Sequence, residues 1–202
     1  ARFLADCERW FGREIVTLRN EKFKGDVDAV IDSKTFIRGP HGAECTAQLK
    51  KKPRYDFQRP DDLHVFGYTC ETRERERARR AVEANPEILF EFPLIDAMLT
   101  KQDCFAMINE VGIKLPAMYE LGFDNNNCIG CVKASSPRYW NRIRQHFPDV
   151  FARRAKQERR VNYALCRVGG EPMFLDELPE AATEDDGVDL SCSLLCQIAL
   201  NQ

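Results

Sequence analysis

The sequence predicts an α/β fold, with a mainly parallel sheet flanked by helices and a loop-rich C-terminal cysteine region. Three observations carry this expectation. Short apolar runs alternate with amphipathic helical patterns through the first half, the signature of parallel strands joined by crossover helices. Beyond Leu115-Pro116 this gives way to turns and polar residues around Cys128-Ile129-Gly130-Cys131. The length, 202 residues, suits one sizeable core or two small lobes. The change of texture divides the chain into 1–118, the α/β core, and 119–202, a cysteine-rich region packed on it.

Each element follows from a local pattern. Phe3, Leu4, Cys7, Trp10 and Phe11 recur at helical spacing until Gly12 stops the run. Ile15-Val16-Thr17-Leu18 reads as a short buried strand, and Asp26 to Phe36 as a helix with Val27, Val30 and Ile31 on one face. Gly39-Pro40-His41-Gly42 is a loop. Cys45 opens a short helical stretch that Pro53 ends. His64 to Tyr68 reads as a strand, 71 to 84 as a charged helix, and Ile88 to Leu94 as an extended piece. Thr100 caps the next helix, with Asp103 at the acidic third position. Ser136 and Pro137 begin another, with Trp140, Ile143 and Phe147 along one face. A short helix follows Pro148, and Ala164 to Val168 pairs with Pro172 to Leu175 as a hairpin across Gly169-Gly170.

Composition narrows the function classes. No apolar run is long enough to span a membrane and no secretory signal is visible, so the chain is expected to be cytoplasmic. It opens without methionine, as a processed chain or a fragment does. A net charge of -2 argues against indiscriminate nucleic-acid binding. Two local basic clusters remain suited to a phosphate or nucleotide: the five arginines of Arg73 to Arg80 and Lys50-Lys51-Lys52-Pro53-Arg54. Arg73 and Arg77, four apart, share a helical face and reach one anion together. The competing reading is a solvated face in which the arginines pair with Glu74 and Glu76.

Nine cysteines exceed what an intracellular core needs yet fall short of a disulfide scaffold. Cys128 and Cys131 flank Gly130 in the knuckle that begins a tetrahedral zinc site or half a cubane site. Further thiolates are available from Cys45, Cys192 and Cys196, the last two sharing a helical face if helical. Cys7, Cys70, Cys104 and Cys166 lie in apolar or strand-like settings, where cysteine is a small buried hydrophobe. Three readings stand: a metal or cluster site, a reversible dithiol at Cys128 and Cys131, or inert core cysteines.

Several segments in fixed order resemble the phosphoadenosine phosphosulfate reductase-like family of the adenine nucleotide alpha hydrolase (PP-loop) superfamily, in its small phage and prophage form. They are Cys45 to Pro53, Val65-Phe66-Gly67-Tyr68 with Glu71 and the arginines, Phe92-Pro93-Leu94, Asn127 to Lys133, and Tyr139-Trp140 leading to Phe147-Pro148. The likeness runs from residue 1 to about residue 196. It implies an oxidoreductase or ATP-dependent sulfurtransferase using a 4Fe-4S cluster, with zinc as the alternative occupant. Cys45 falls on the first cysteine of the family's tandem pair, Lys50 on the lysine beside the cluster, Pro53 on the proline, and Cys128 with Cys131 on the later pair. Thr46 replaces the second tandem cysteine, so the resemblance requires Cys192 or Cys196 as fourth ligand.

The same resemblance implies an adenine nucleotide or sulfonucleotide as substrate, with Arg73, Arg75 and Arg77 on its phosphates and Lys50 contributing positive charge. A tail cysteine, Cys192 or Cys196, would attack the sulfonucleotide sulfur, and a redox protein partner would follow. The family's glycine- and serine-rich nucleotide loop has no counterpart in this sequence, so it is expected in a preceding segment or is lost in a degenerate domain. The alternative to an enzyme is a zinc- or cluster-stabilised interaction module of phage or mobile-element origin, binding nucleic acid or a protein.

Overall fold

A computed structural model of the chain describes residues 2–39 and 42–182. In chain order the helices α1 (Arg2–Phe11) and α2 (Val27–Lys34) precede a two-residue antiparallel pair, β1 (Arg38–Gly39) and β2 (Gly42–Ala43). Next come α3 (Glu44–Thr46), a π-helical turn (Ala47–Lys51) and α4 (Lys52–Phe57). The middle of the chain holds β3 (Leu63–Val65), α5 (Thr72–Ala84), β4 (Leu89–Glu91), α6 (Pro93–Asp96), α7 (Lys101–Glu110) and α8 (Ala117–Glu120). The last third holds α9 (Pro137–His146), α10 (Pro148–Val161), the hairpin strands β5 (Cys166–Val168) and β6 (Glu171–Met173), and a 3-10 turn (Leu175–Glu177). The class is mixed helix and strand. Among the described residues no helix is long and apolar enough to cross a membrane.

The chain forms two compact units that interleave in sequence. Among the described residues, one contains the chain up to Leu18 together with Arg54–Asn126; the other contains Arg19–Pro53 and the chain from Asn127. Where the sequence alone suggests a division at 118/119, residues 19–53 group with the C-terminal part.

In the first unit, β3 and β4 run parallel with His64 opposite Phe90, joined through α5 as a βαβ crossover requires. Alternation puts His64, Phe66, Tyr68, Phe90 and Phe92 on one side, where Phe66 and Phe90 lie 5.5 Å apart and Tyr68 and Phe92 5.8 Å apart. Arg77 of α5 covers the Tyr68 ring. On the other side Leu63, Val65 and Leu89 are more than half exposed. This pair is the parallel sheet present among the described residues. Thr100 caps α7 with a complete capping box to Asp103, as the sequence predicts. Ile15 to Leu18 is not a strand: Val16 is exposed, and the Ile15 amide donates to the Glu8 carboxylate at 3.0 Å rather than to a ladder.

The second unit has a denser core. Val30 and Ile31 of α2, Trp140 and Ile143 of α9, Val132, Leu165 and Leu175 are fully enclosed. Asp26 caps α2, and Ser136 caps α9 with Pro137 at its first position. The helix after Pro148 is not short but spans 14 residues, because Phe151, Ala155 and Glu158 keep one face buried along its length. Gly169 and Gly170 both take positive φ, as a two-residue hairpin turn between right-twisted strands demands.

Pro53 does not end the helix that begins at Cys45's segment. The Lys52 amide reaches back five residues to the Ala47 carbonyl, widening the turn just ahead of the proline. The Gln48 carbonyl is thereby deprived of its α-helical donor, Lys52, and Pro53, the next candidate, has no N–H. Buried Asn20 supplies the missing bond, its side-chain amide donating to Gln48 O at 2.9 Å.

Glu158 is buried without exposure and holds the hairpin region together. Its carboxylate accepts the Leu165 amide at 2.8 Å and the Leu175 amide. Burial pushes the carboxyl up to about 7, although both amide bonds oppose the rise. A carboxyl raised above its ordinary 4.5 favours the folded state when protonated. This contribution is therefore full below about pH 4.5 and is lost as pH climbs through about 7. Urea unfolding of this unit is expected to show a loss on the order of 3 kcal/mol across that window. Glu158→Gln, which cannot ionise, should flatten the dependence.

Candidate functional site: a three-cysteine centre

The Cys128–Cys131 turn is shaped by a residue that cannot be replaced cheaply. Gly130 has φ +66, and a Cβ there would lie 2.6 Å from Val150 Cγ1. The turn must therefore be made by glycine, which reaches this region without strain and leaves room for α10. Arg154 Nε donates to the Gly130 carbonyl at 3.0 Å. The same buried guanidinium donates to Gln157 Oε1 at 2.6 Å and to Asp28 of α2.

Tyr139, one turn into α9, closes the other side. Its hydroxyl accepts from the Cys131 amide at 2.7 Å and donates to the Cys128 carbonyl at 3.3 Å. The ring thus spans the Cys-x-x-Cys turn from end to end. Trp140 Nε1 donates to the Ala134 carbonyl at 3.0 Å, anchoring the loop that follows.

Cys45, from α3, belongs to the same compact unit. Burial pushes its thiol up to about 11, and Cys131 and Cys128 act in the same direction, while Lys133 and Lys50 act against it. These influences put one thiol from early in the chain within electrostatic reach of two from the later turn and of two ammonium groups. Tyr139 feels the same centre: burial raises its hydroxyl, with Cys131 and Cys128 adding to the rise. Cys128 is exposed and Cys45 and Cys131 are partly covered, so the centre opens to solvent at the Cys128 side. Each of the seven described cysteines is a thiol rather than half of a disulfide.

The sequence-expected residues fall into three groups. Cys45, Cys128 and Cys131 lie within electrostatic reach of one another and of Lys50, which is exposed in the π-helical turn. Arg73, Arg75 and Arg77 belong to the other compact unit. There Arg77 is bonded to the Glu74 carboxylate at 2.6 Å and stacks over Tyr68, while Arg79 and Arg80 pair with Glu76. Cys192 and Cys196 lie outside the described residues.

Lys133 is the residue that sequence reading under-weighted. It appears there only inside a matching segment, yet it is 2% exposed and acts on Cys45 ahead of Lys50. Its backbone is fixed by buried Arg38, which donates to Lys133 O at 2.6 Å, to Leu165 O at 3.0 Å and to the Tyr163 hydroxyl at 3.1 Å. Its place two residues after Cys131 is the one signal in the sequence, and it does not by itself say where the side chain points.

Among the described residues, no three His, Cys, Asp or Glu side chains are drawn tightly enough to form a closed metal-ligand group. The donor chemistry nevertheless fits a soft metal or a cluster: three thiols, with two ammonium groups to offset thiolate charge. No protein-family model matches the chain, and no curated protein or solved structure does either.

Two outcomes test this geometry. Gly130→Ala should destabilise the unit by roughly 2–3 kcal/mol, through both the positive φ and the clash. Adding Val150→Ala should recover the clash portion alone, as read by denaturant midpoints. In metal-free protein, Lys133→Met should slow alkylation of Cys45 at alkaline pH, because removing a nearby positive charge raises the thiol further. Lys50→Met should slow it less, with Cys45 followed by peptide mass spectrometry.

Proposed function

We propose that the chain is a phosphoadenosine phosphosulfate reductase-like enzyme domain, performing nucleotide-dependent sulfur or sulfonucleotide chemistry beside a 4Fe-4S cluster. The observation that carries the reading is the convergence of Cys45 with the Cys128–Cys131 turn, next to Lys50 and Lys133. Inert core cysteines have no reason to gather from distant segments, to expose one member, or to collect two lysines. Cys45, Cys128 and Cys131 would hold the cluster, with Cys192 or Cys196 as the fourth ligand. When bound, such a cluster carries net negative charge on its thiolates and supplies redox-active iron.

The chain's own residues then have defined tasks. Lys133 and Lys50 offset the thiolate charge, and Lys50, the exposed one, offers an ammonium to a phosphate or sulfate at the rim. Tyr139 and Arg154 hold the Cys-x-x-Cys turn so that two thiols stay at fixed separation. Arg73, Arg75 and Arg77 serve the nucleotide phosphates in this reading; the ion pair of Arg77 with Glu74 would have to yield to substrate. The fold reading goes with the function. Parallel strands are rarely bare on one face, so exposed Leu63, Val65 and Leu89 support a larger, adenine nucleotide alpha hydrolase-like sheet to which β3 and β4 belong.

Metal analysis separates this reading from its competitor. Anaerobically prepared protein should contain iron and acid-labile sulfide, and Cys45→Ser should lose most of both despite its distance in sequence from Cys128. The absence of both iron and zinc from such protein would overturn the site itself. Zinc alone, with no nucleotide binding by the full-length protein, would favour a non-catalytic interaction module. If the enzyme reading holds, Lys50→Ala should lower turnover by about 10- to 1,000-fold while retaining the metal, with Lys51→Ala and Lys52→Ala affecting it less.

A further inference from the structure

The first unit carries a second pair of thiols, at the N-terminal end of α7. We infer that Cys70 and Cys104 form an oxidisable dithiol, a modification site that closes into an intramolecular disulfide. Cys70 is held against the turn leading into α7: its amide donates to Leu99 O at 2.8 Å and its thiol to Met98 O at 3.3 Å. The adjacent Glu71 accepts the Lys101 amide at 2.8 Å, so the 70–71 segment lies over the first turn of the helix. Cys104 follows one turn in, its amide bonded to Thr100 O at 3.1 Å. Helical Cα–Cβ bonds tilt toward the N-terminus, which leans the Cys104 side chain back toward the turn that holds the Cys70 sulfur. Both thiols are partly exposed and open to a small oxidant.

Burial raises the Cys104 thiol, and Asp103, Glu71 and Cys70 add to the rise. These influences disfavour the Cys104 thiolate, and in this proposal the exchange begins at Cys70. With a glutathione disulfide as oxidant, the Cys70 thiolate bonds to one sulfur and one glutathione thiolate leaves. The Cys104 thiolate then attacks the Cys70 sulfur and displaces the second glutathione. Two protein thiols lose two protons and two electrons, and one glutathione disulfide is reduced to two glutathione thiols. The bond would tie the exit of β3 to the start of α7. This inference is independent of the metal reading, since no residue of the three-cysteine centre takes part.

The test treats the native full chain with oxidised glutathione, blocks the remaining thiols and maps the peptides without reduction. The expected result is a Cys70–Cys104 linked peptide as the main cross-link of this unit, more abundant than in chain oxidised under denaturing conditions. Cys104→Ser should convert it to a lasting Cys70–glutathione mixed disulfide. Glutathione retained on Cys70 of the wild-type chain would overturn the proposal, as would a linked fraction no greater than in the denatured chain.

Discussion

A guanidinium taken out of water must be surrounded by acceptors, or the desolvation cost is several kcal/mol. Arg154, nearly sealed within its unit, meets that demand with Gly130 O, Gln157 and Asp28. These partners lie in three places: the cysteine turn, α10 itself and α2. Satisfying one side chain therefore fixes where the thiol-bearing loop sits against two helices. Gly130 has to be glycine for the same reason, because any side chain would push the turn off Val150 and away from its Arg154 bond. Around this anchor, Tyr139 and Arg38 add bonds to neighbouring stretches of the same loop. The loop contains little regular structure, but its backbone is held by side chains from below.

How much of this was legible beforehand depends on the range of the forces involved. Local signals are legible: the Thr100 and Ser136 caps, the Gly169-Gly170 hairpin and the helical faces at Val30-Ile31 and Trp140-Ile143. Errors came where a distant partner decides. Pro53 looks like a helix terminator from its neighbours alone, yet the backbone continues past it through a widened turn whose Gln48 carbonyl is satisfied by Asn20, far upstream. Ile15 to Leu18 has strand-like composition but no ladder to join. The candidate site followed the same division. The Cys128–Cys131 knuckle announces itself by spacing, whereas the part played by Lys133 depends on Arg38, which sequence proximity does not reveal.

The centre also shows how protonation and ligation compete. Neighbouring thiols cannot all ionise together without mutual repulsion, and burial adds to the reluctance of Cys45. A bound cation changes that balance by attracting all three thiolates at once, and proton release accompanies its capture. Lys133 contributes a fixed fraction of the same attraction beforehand.

The interleaving of the two units has a consequence for synthesis. Arg19–Pro53 belongs with the chain beyond Asn127, while Arg54–Asn126 folds elsewhere. At a translation rate of roughly 5–20 residues per second, Cys131 leaves the ribosome about 4–17 s after Cys45. Through that interval Val30 and Ile31 have no Trp140 or Ile143 to pack against, and the Cys45 thiol waits without its partners. The middle segment is free to fold while its flanking halves are still apart. The thiol centre cannot close until the chain through Cys131 has emerged.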